Sequence, residues 1–137
     1  MDIRILDDRL HATPQITLAE VAEAATRGYG ALISNRPDGE EPGQPSAEDM
    51  RQAAEAAGLG VRHIPVRPGA LSEVEADAMR AALDELPGPV LGFCRTGTRT
   101  TYLWALAVAG SRPADEIVAV ASAAGYALTP LRAYLGV

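Results

Sequence analysis

The segment from Val90 to Ala109 constrains this chain more than any other stretch of its sequence. Its first four residues are apolar, as in a buried strand, and they end on Cys94, the only cysteine. A short loop with two arginines and one glycine follows, and the apolar run at 102–109 then indicates a helix that ends before Gly110. The sequence therefore predicts a strand, a tight loop and a helix in direct succession, with a thiol at the end of the strand.

The loop from Cys94 to Arg99 combines the groups that a reactive thiol needs. A thiol attacks as its thiolate, and nearby arginines and the positive end of a helix favour that form. Inward-facing backbone N–H groups would form an anion cradle, and Gly97 permits the tight curvature because it lacks Cβ. We predict that Cys94 is a nucleophile and that Arg99 binds an oxyanion through its planar fork of donors. The alternatives are an inert core thiol at Cys94 and a solvated surface residue at Arg95.

The length of this loop separates two known classes of cysteine enzyme. Four residues stand between Cys94 and Arg99, which gives Cys-x4-Arg with glycine in the fourth position. Protein tyrosine phosphatases use the longer His-Cys-x5-Arg, whereas rhodanese-type sulfurtransferases commonly use Cys-Arg-x-Gly-x-Arg. The loop resembles the second pattern, and Phe93 stands where phosphatases usually carry histidine.

Strand-like and helix-like segments alternate along the whole chain, which predicts an α/β fold. The predicted strands are 3–6, 10–13, 31–34, 60–66 and 90–93, the first two forming an edge hairpin around an Asp-Asp turn. Helices are predicted from capping residues and apolar periodicity at about 17–28, 46–57, 72–86, 102–109, 112–124 and 129–134. This alternation favours a three-layer α/β/α arrangement with a mainly parallel central sheet.

In such a sheet the loops at the carboxyl ends of the strands converge on the ligand site. The three loops that qualify are 35–45, 67–69 and 94–99. The first is long for a small domain, which favours a functional role, with Arg36 as an anion ligand and Asp38 as an acid. The alternative is that Asn35 and Asp38 only hold turns. His11 and His63 are both expected to be structural.

Composition limits the classes of partner. The 137 residues are expected to form a single domain, 1–137, and a net charge of −6 argues against nucleic acid and against anionic membranes. A positive pocket in an acidic protein instead favours a small anionic substrate. Two separated histidines and one cysteine give no metal-ligand spacing, so no metal or other cofactor is predicted. The lack of a signal-peptide core and of any disulfide predicts a cytoplasmic protein.

Three blocks of the chain resemble one bacterial family. They are Asn35-Arg-Pro-Asp-Gly-Glu-Glu-Pro-Gly-Gln-Pro45, His63-Ile-Pro-Val66 and Phe93-Cys-Arg-Thr-Gly-Thr-Arg99. The family is the phosphatase-like domain of beta-lactamase hydrolase-like proteins, whose members are also labelled as sulfur transferases. The resemblance implies a protein tyrosine phosphatase-like fold and a site built on Cys94 and Arg99. It also implies an anion cradle formed by Arg95, Thr96, Gly97 and Thr98.

The family labels leave the reaction open, and the residues favour sulfur transfer. Phosphatases of this fold protonate the leaving oxygen with an aspartate, but the loop at 67–69 holds no acid. We therefore expect a sulfurtransferase that forms a persulfide on Cys94, with an anionic sulfur donor and a thiol or protein as acceptor. The alternatives are a tyrosine or dual-specificity type phosphatase with a phosphocysteine at Cys94, and a noncatalytic anion-binding module.

Overall fold

In the computed structural model, which describes residues 1–137, five short strands form one sheet. They are β1 (Arg4–Ile5), β2 (Leu10–Thr13), β3 (Ala31–Ser34), β4 (Gly60–His63) and β5 (Val90–Phe93). The order across the sheet is β1-β2-β5-β3-β4, and only β1 runs antiparallel to its neighbour. The predicted mainly parallel sheet is confirmed, and β5 lies at its centre.

The N-terminal hairpin is confirmed, but only one of its strands is an edge. Asp7 closes the turn, because its carboxylate accepts the backbone N–H groups of Arg9 and Leu10, each at 2.8 Å. Strand β1 pairs with β2 on one side and has no further neighbour, whereas β2 pairs along its whole length with β5. The apolar side chains of β2 explain this interior position, since Leu10 and Ala12 have no exposed surface.

Six α-helices cover the sheet. They are α1 (Leu18–Thr26), α2 (Ala47–Ala56), α3 (Glu73–Glu85), α4 (Thr98–Val108), α5 (Ala114–Ala123) and α6 (Arg132–Leu135), the last preceded by a 3-10 turn at Thr129–Leu131. A capping box of Thr17 and Glu20 opens α1, and Ser46 caps α2. Ser72 instead donates its hydroxyl to the carboxylate of Glu75 and caps no backbone group. None of these helices has both the length and the apolar character needed to cross a membrane.

The helices form a separate core on each face of the sheet. Leu91 and Phe93 of β5 face the smaller core, which they share with residues of α1 and α2. Val90 faces the larger core, which contains Trp104 and other side chains of α3, α4 and α5. Gly92 lets α4 pack directly on β5, because a Cβ at this residue would lie 2.8 Å from the Thr100 methyl group. This close contact fixes the start of α4 against the end of β5.

Strand β4 ends earlier than the sequence indicates, at His63 instead of Val66. The regular ladder ends because the Ile64 carbonyl accepts the side-chain amide of Asn35 at 3.0 Å in place of a backbone N–H. Pro65 is tolerated here because its nitrogen faces the open edge of the sheet. The chain nevertheless stays extended beside β3: the N–H groups of Ile64 and Val66 donate to the carbonyls of Ser34 and Asn35 at 2.8 and 3.1 Å. This irregular extension carries the Val66 carbonyl to the carboxyl edge of the sheet.

Candidate functional site

The loop after β5 folds around the sulfur of Cys94. The backbone N–H of Gly97 donates to Cys94 Sγ at 3.1 Å, so the first turn of the loop closes over the thiol. Cys94 itself has no exposed surface.

The carbonyl groups of the loop point away from the sulfur and bind to its surroundings. The Arg95 carbonyl accepts the N–H of Gln15 at 3.2 Å, and the Thr96 carbonyl accepts the Tyr126 hydroxyl at 3.2 Å. The Gly97 carbonyl accepts both the N–H and the hydroxyl of Thr101, at 3.0 and 2.8 Å. In a trans peptide the N–H is opposite to the C=O, so the N–H groups of Thr96 and Gly97 face into the loop. The N–H of Thr98 donates to the hydroxyl of Thr96 at 3.4 Å. The backbone thus forms a concave set of donors at the start of α4.

Gly97 is the residue that makes this curvature possible. Its φ of +90° lies in the left-handed region, where a side chain is disfavoured. A Cβ at this position would also lie 2.1 Å from the hydroxyl oxygen of Tyr126. The site therefore needs glycine here for two independent reasons, backbone conformation and space.

Arg99 is held rigidly at the start of α4. Its Nη1 donates to Glu40 Oε2 and to the Val66 carbonyl, both at 2.8 Å, and its Nη2 donates to Glu40 Oε1 at 2.8 Å. No oxygen atom accepts the Nε–H or the second hydrogen of Nη2, and Cys94 lies close enough to Arg99 to help raise the pKa of the guanidinium. Carboxylate binding thus occupies one edge of the guanidinium and leaves the adjacent edge available.

Glu40 connects two arginines. Its Oε1 also accepts the Nε–H of Arg36 at 2.9 Å, and its side chain is 19% exposed. The hydrogen bonds from Arg99, supported by Arg36, lower the pKa of Glu40 from 4.5 to about 2. The same pairing raises the pKa of Arg99, against the opposing effect of burial. Glu40 is therefore a carboxylate at neutral pH and cannot give up a proton.

Arg36, predicted as an anion ligand, is a structural residue in this fold. Its side chain is 1% exposed, and each of its three nitrogens donates to another side chain. The acceptors are Glu40, Gln15 at 3.1 Å and Glu41 at 2.9 Å. These three hydrogen bonds hold the loop at 35–45, and no contact in this structure supports the predicted role of Arg36 as an anion ligand.

Asp38, predicted as a possible acid, lies at the start of a helix. Its Oδ1 accepts the backbone N–H of Ala47, the first residue of α2, at 2.8 Å. It therefore stabilises the helix N-terminus, where an unpaired donor and the helix dipole both favour a carboxylate. This contact agrees with the alternative interpretation, in which Asp38 holds local structure. The geometry gives no support to a role of Asp38 as an acid.

Asn35 joins three elements beneath the loop. Its backbone N–H donates to the Phe93 carbonyl at 2.8 Å, and its side-chain amide donates to the Ile64 carbonyl at 3.0 Å. Its side-chain oxygen accepts the hydroxyl of Thr100 at 2.8 Å. Asn35 has no exposed surface, so it fixes the ends of β3 and β5 to the first turn of α4.

The two histidines contact protein groups outside the loop. His63 Nε2 lies 2.9 Å from the Arg36 carbonyl, and His11 Nδ1 lies 2.7 Å from the Tyr29 hydroxyl. Burial lowers the pKa of His11 and raises the pKa of Tyr29. Both contacts agree with the structural role expected for these histidines. The chain contains no group of three side chains placed to hold a metal ion.

A cavity of about 320 Å³ opens beside the loop. Its walls come from the segment at 68–71, from the loop and from the first turn and a half of α4, and they include Arg95, Thr96, Thr98, Arg99 and Tyr102. The lining contains no acidic residue. The three loops predicted to converge do so here: 67–69 and 94–99 form the walls, and 35–45 supplies Glu40 behind Arg99.

Sequence reasoning missed the residues that orient Arg99. Glu40 and the Val66 carbonyl were not predicted to contact the loop, and Gln15 was not singled out at all. The adjacent acids at 40–41 were the available signal, because a loop that contains both Arg36 and two glutamates already suggests internal pairing. Which of the two would reach a second arginine depends on the fold.

Comparison with known proteins agrees on one family. The family described as "Beta-lactamase hydrolase-like protein, phosphatase-like domain" matches residues 2–111. A curated beta-lactamase hydrolase-like protein from Xylella fastidiosa is 36% identical over 130 residues, which is 93% of this chain and 30% of the relative. The chain thus spans about a third of the length of the curated relatives that it matches.

Solved structures show the same fold. The crystal structure of a candidate phosphatase from Neisseria meningitidis is 38% identical, with a TM-score of 0.86, and the match covers 98% of this chain and 96% of that one. The structure of Tk-PTP in its active form has a TM-score of 0.73 at 20% identity, covering 98% of this chain and 92% of that one. The predicted protein tyrosine phosphatase-like fold is confirmed. The expectation of sulfur transfer has no support among these matches, which fit the phosphatase alternative better.

Proposed function

The chain belongs to the phosphatase-like domain family of the beta-lactamase hydrolase-like proteins, and we propose that it is a cysteine-dependent phosphatase acting on a small anionic substrate. In this proposal Cys94 is the nucleophile and Arg99 binds the phosphoryl group. The N–H groups of residues 95–98 complete the cradle. The whole of a longer relative contains further sequence, so the proposal concerns the chemistry of this segment.

One observation carries the proposal: the loop turns its carbonyl groups outward and its N–H groups inward at the start of a helix, around a thiol. An arrangement of this kind stabilises negative charge on a bound oxyanion and on the thiolate. The guanidinium edge that Glu40 leaves free would add two charge-assisted donors to the same anion. Because Glu40 and Val66 already fix Arg99, little reorganisation is needed when charge develops in the transition state.

The proposed reaction has two displacement steps at phosphorus. The thiolate Sγ of Cys94 attacks phosphorus, an S–P bond forms, and the bond to the leaving oxygen breaks with its electron pair on that oxygen. Water then attacks the phosphocysteine, releases one proton to solvent and returns Sγ as the thiolate. Arg99 and the loop N–H groups hold the three non-bridging oxygens through both steps.

Sulfur transfer is the second candidate, because the loop is one residue shorter than in most phosphatases and the cavity has no acid. Both reactions would use the same thiolate and the same anion cradle. They differ in what remains attached to Cys94, which is a sulfur atom in one case and a phosphoryl group in the other. The mass of the trapped intermediate therefore distinguishes them.

The test is intermediate trapping on the purified, reduced protein. We would treat it with 4-nitrophenyl phosphate and, separately, with thiosulfate, quench it rapidly and measure the intact mass. We expect a phosphoryl adduct with the first reagent, release of phosphate at steady state, and neither result in Cys94→Ser. A sulfur adduct with thiosulfate, together with no phosphate release, would overturn the proposal in favour of sulfur transfer.

A matched pair of arginine substitutions tests the role of Arg99. Arg99→Lys keeps the charge but loses the planar fork, so we expect kcat/KM to fall about 100-fold. Arg27→Lys is the control, since Arg27 also forms an ion pair with a glutamate, Glu23, but lies at the end of α1. Equal effects of the two substitutions would show that Arg99 has no special part in the reaction.

A further inference from the structure

The arginines of this chain are unevenly paired. All twelve basic residues are arginines, and nine of them form ion pairs with carboxylates. The three without a carboxylate partner are Arg67, Arg95 and Arg132. In a protein with a net charge of −6, acidic partners are abundant, so unpaired arginines mark places where positive charge is left available.

One of these three arginines lines the cavity beside the loop, and a second is the sequence neighbour of a lining residue. Arg95 lines the cavity directly, and Arg67 immediately precedes the lining residue Pro68. Both residues are exposed. Arg132 lies in α6 and does not line the cavity. Together with the free edge of Arg99, Arg95 therefore gives the cavity two sources of positive charge, and Arg67 adds a third next to its wall in sequence.

The carboxylates of the loop at 35–45, which supplies Glu40 behind Arg99, are engaged elsewhere. Glu40 is bound by Arg99 and Arg36, Glu41 is bound by Arg36, and Asp38 caps α2. No acidic residue lines the cavity. A leaving group that departs into this cavity consequently receives no proton from a side-chain carboxylic acid.

From these two observations we infer that the substrate is a phosphoanhydride, in which the leaving group is itself a phosphate. This inference rests on the proposed phosphatase function and names its substrate class. A departing phosphate oxygen has a pKa of about 6, against about 10 for a phenol, so it leaves as an anion without protonation. Arg95 would hold that second phosphate while Arg99 holds the first, and Arg67, whose chain neighbour Pro68 lines the cavity, would add positive charge.

The reaction needs only the anhydride, the Cys94 thiolate and water. Sγ of Cys94 attacks the terminal phosphorus, and the P–O bond to the bridging oxygen breaks. The electron pair stays on that oxygen, and the second phosphate departs with it as an anion. Water then cleaves the S–P bond and releases one proton, so the net reaction is hydrolysis of one anhydride bond.

The experiment compares kcat/KM for inorganic pyrophosphate with kcat/KM for phenyl phosphate, in the unmodified protein and in two variants. We expect the ratio to favour pyrophosphate at least tenfold. Arg95→Ala should lower the ratio about tenfold, because one charge-assisted contact to the leaving phosphate is lost. Arg132→Ala, which removes the unpaired arginine outside the cavity, should leave the ratio within twofold.

The outcomes separate this inference from the proposed function. If both substrates form the phosphocysteine but phenyl phosphate is cleaved as fast as pyrophosphate, the anhydride inference is overturned and the phosphatase proposal stands. A change of the ratio in Arg132→Ala as large as in Arg95→Ala would likewise overturn it. If no phosphocysteine forms with either substrate or with 4-nitrophenyl phosphate, the proposed function itself fails.

Discussion

Glu40 accepts two hydrogen bonds of 2.8 Å from Arg99, which lies 59 positions later in the chain. This contact joins the loop after β3 to the loop after β5, the central strand of the sheet. Because Arg36 binds the same carboxylate, the two loops share one network of charge. The position of the guanidinium beside Cys94 thus depends on a residue that does not itself face the cavity.

Glu40→Gln should reduce activity without removing any group that would touch the substrate. The amide keeps one acceptor but loses its charge and the second acceptor, so Arg99 can rotate away from its fixed orientation. We expect kcat/KM for 4-nitrophenyl phosphate to fall about 10- to 100-fold, mainly in kcat. Glu41→Gln is the matched control, because Glu41 is bound only to Arg36, and its effect should stay within about twofold. A larger effect of Glu41→Gln would contradict the specific role of Glu40.

The Glu40 carboxylate should also make stability depend on pH in the acid range. Its pKa is about 2 in the folded protein and 4.5 as the reference value for the unfolded chain. The stabilisation is therefore complete above about pH 4.5 and is lost as the pH falls towards 2. After allowance for solvent screening we expect a loss of about 1–2 kcal/mol in the free energy of unfolding. Urea unfolding between pH 2 and 6 would measure this loss. The free energy of unfolding of Glu40→Gln should depend less steeply on pH than that of the unmodified protein. The same pH dependence in both proteins would refute the role assigned to Glu40.

The sequence predicts the backbone elements and reactive residues of the site better than the hydrogen bonds that join its loops. Cys94, Gly97 and Arg99 are recognisable because a strand end, a tight turn and a helix start impose local patterns on neighbouring residues. Glu40 follows no such pattern, since its partner is set by where two loops meet in the folded sheet. The prediction for Arg36 depends on the fold in the same way. An arginine in a loop at the carboxyl edge of a sheet is typical of an anion ligand, and only the structure shows that three side chains accept its hydrogen bonds.

Asp38→Asn separates a capping role from an acid role. The amide oxygen of asparagine still accepts the Ala47 N–H, so stability should change by less than about 0.5 kcal/mol. If Asp38 were a general acid, the same substitution would lower kcat about 100- to 10,000-fold. We expect kcat to remain within twofold. Asp38→Ala, which removes the cap, should cost about 1 kcal/mol of stability, measured by thermal or urea unfolding.

The hydrogen bond between Asn35 and Thr100 should couple the two residues energetically. Both side chains are fully buried, so Asn35→Ala leaves several groups unpaired and should cost about 2–3 kcal/mol. Thr100→Val removes one hydroxyl with little change of shape and should cost about 1 kcal/mol. A double-mutant cycle measured by urea unfolding should give a coupling energy of about 1 kcal/mol. Simple additivity of the two costs would show that the contact carries no net energy.

Gly97→Ala should destabilise the loop more than an equivalent substitution at the other end of the same helix. Gly110 follows α4 with a φ of +88°, close to the +90° of Gly97, but a Cβ on Gly110 would meet nothing within 4 Å. Gly110→Ala thus measures the backbone strain alone, about 1–2 kcal/mol. Gly97→Ala adds the collision with the Tyr126 hydroxyl, and we expect a further loss of about 1–3 kcal/mol in the free energy of unfolding.

Removing that hydroxyl tests the cause directly. In Gly97→Ala/Tyr126→Phe the nearest remaining ring carbon lies 3.0 Å from the added Cβ instead of the 2.1 Å of the oxygen, so part of the stability should return. Tyr126→Phe alone should cost about 1 kcal/mol, because the hydroxyl no longer binds the Thr96 carbonyl. The double variant should therefore be more stable than the sum of the two single effects predicts. If the two costs simply add, the collision with Tyr126 is not what makes glycine necessary at this turn, and the left-handed backbone alone explains it.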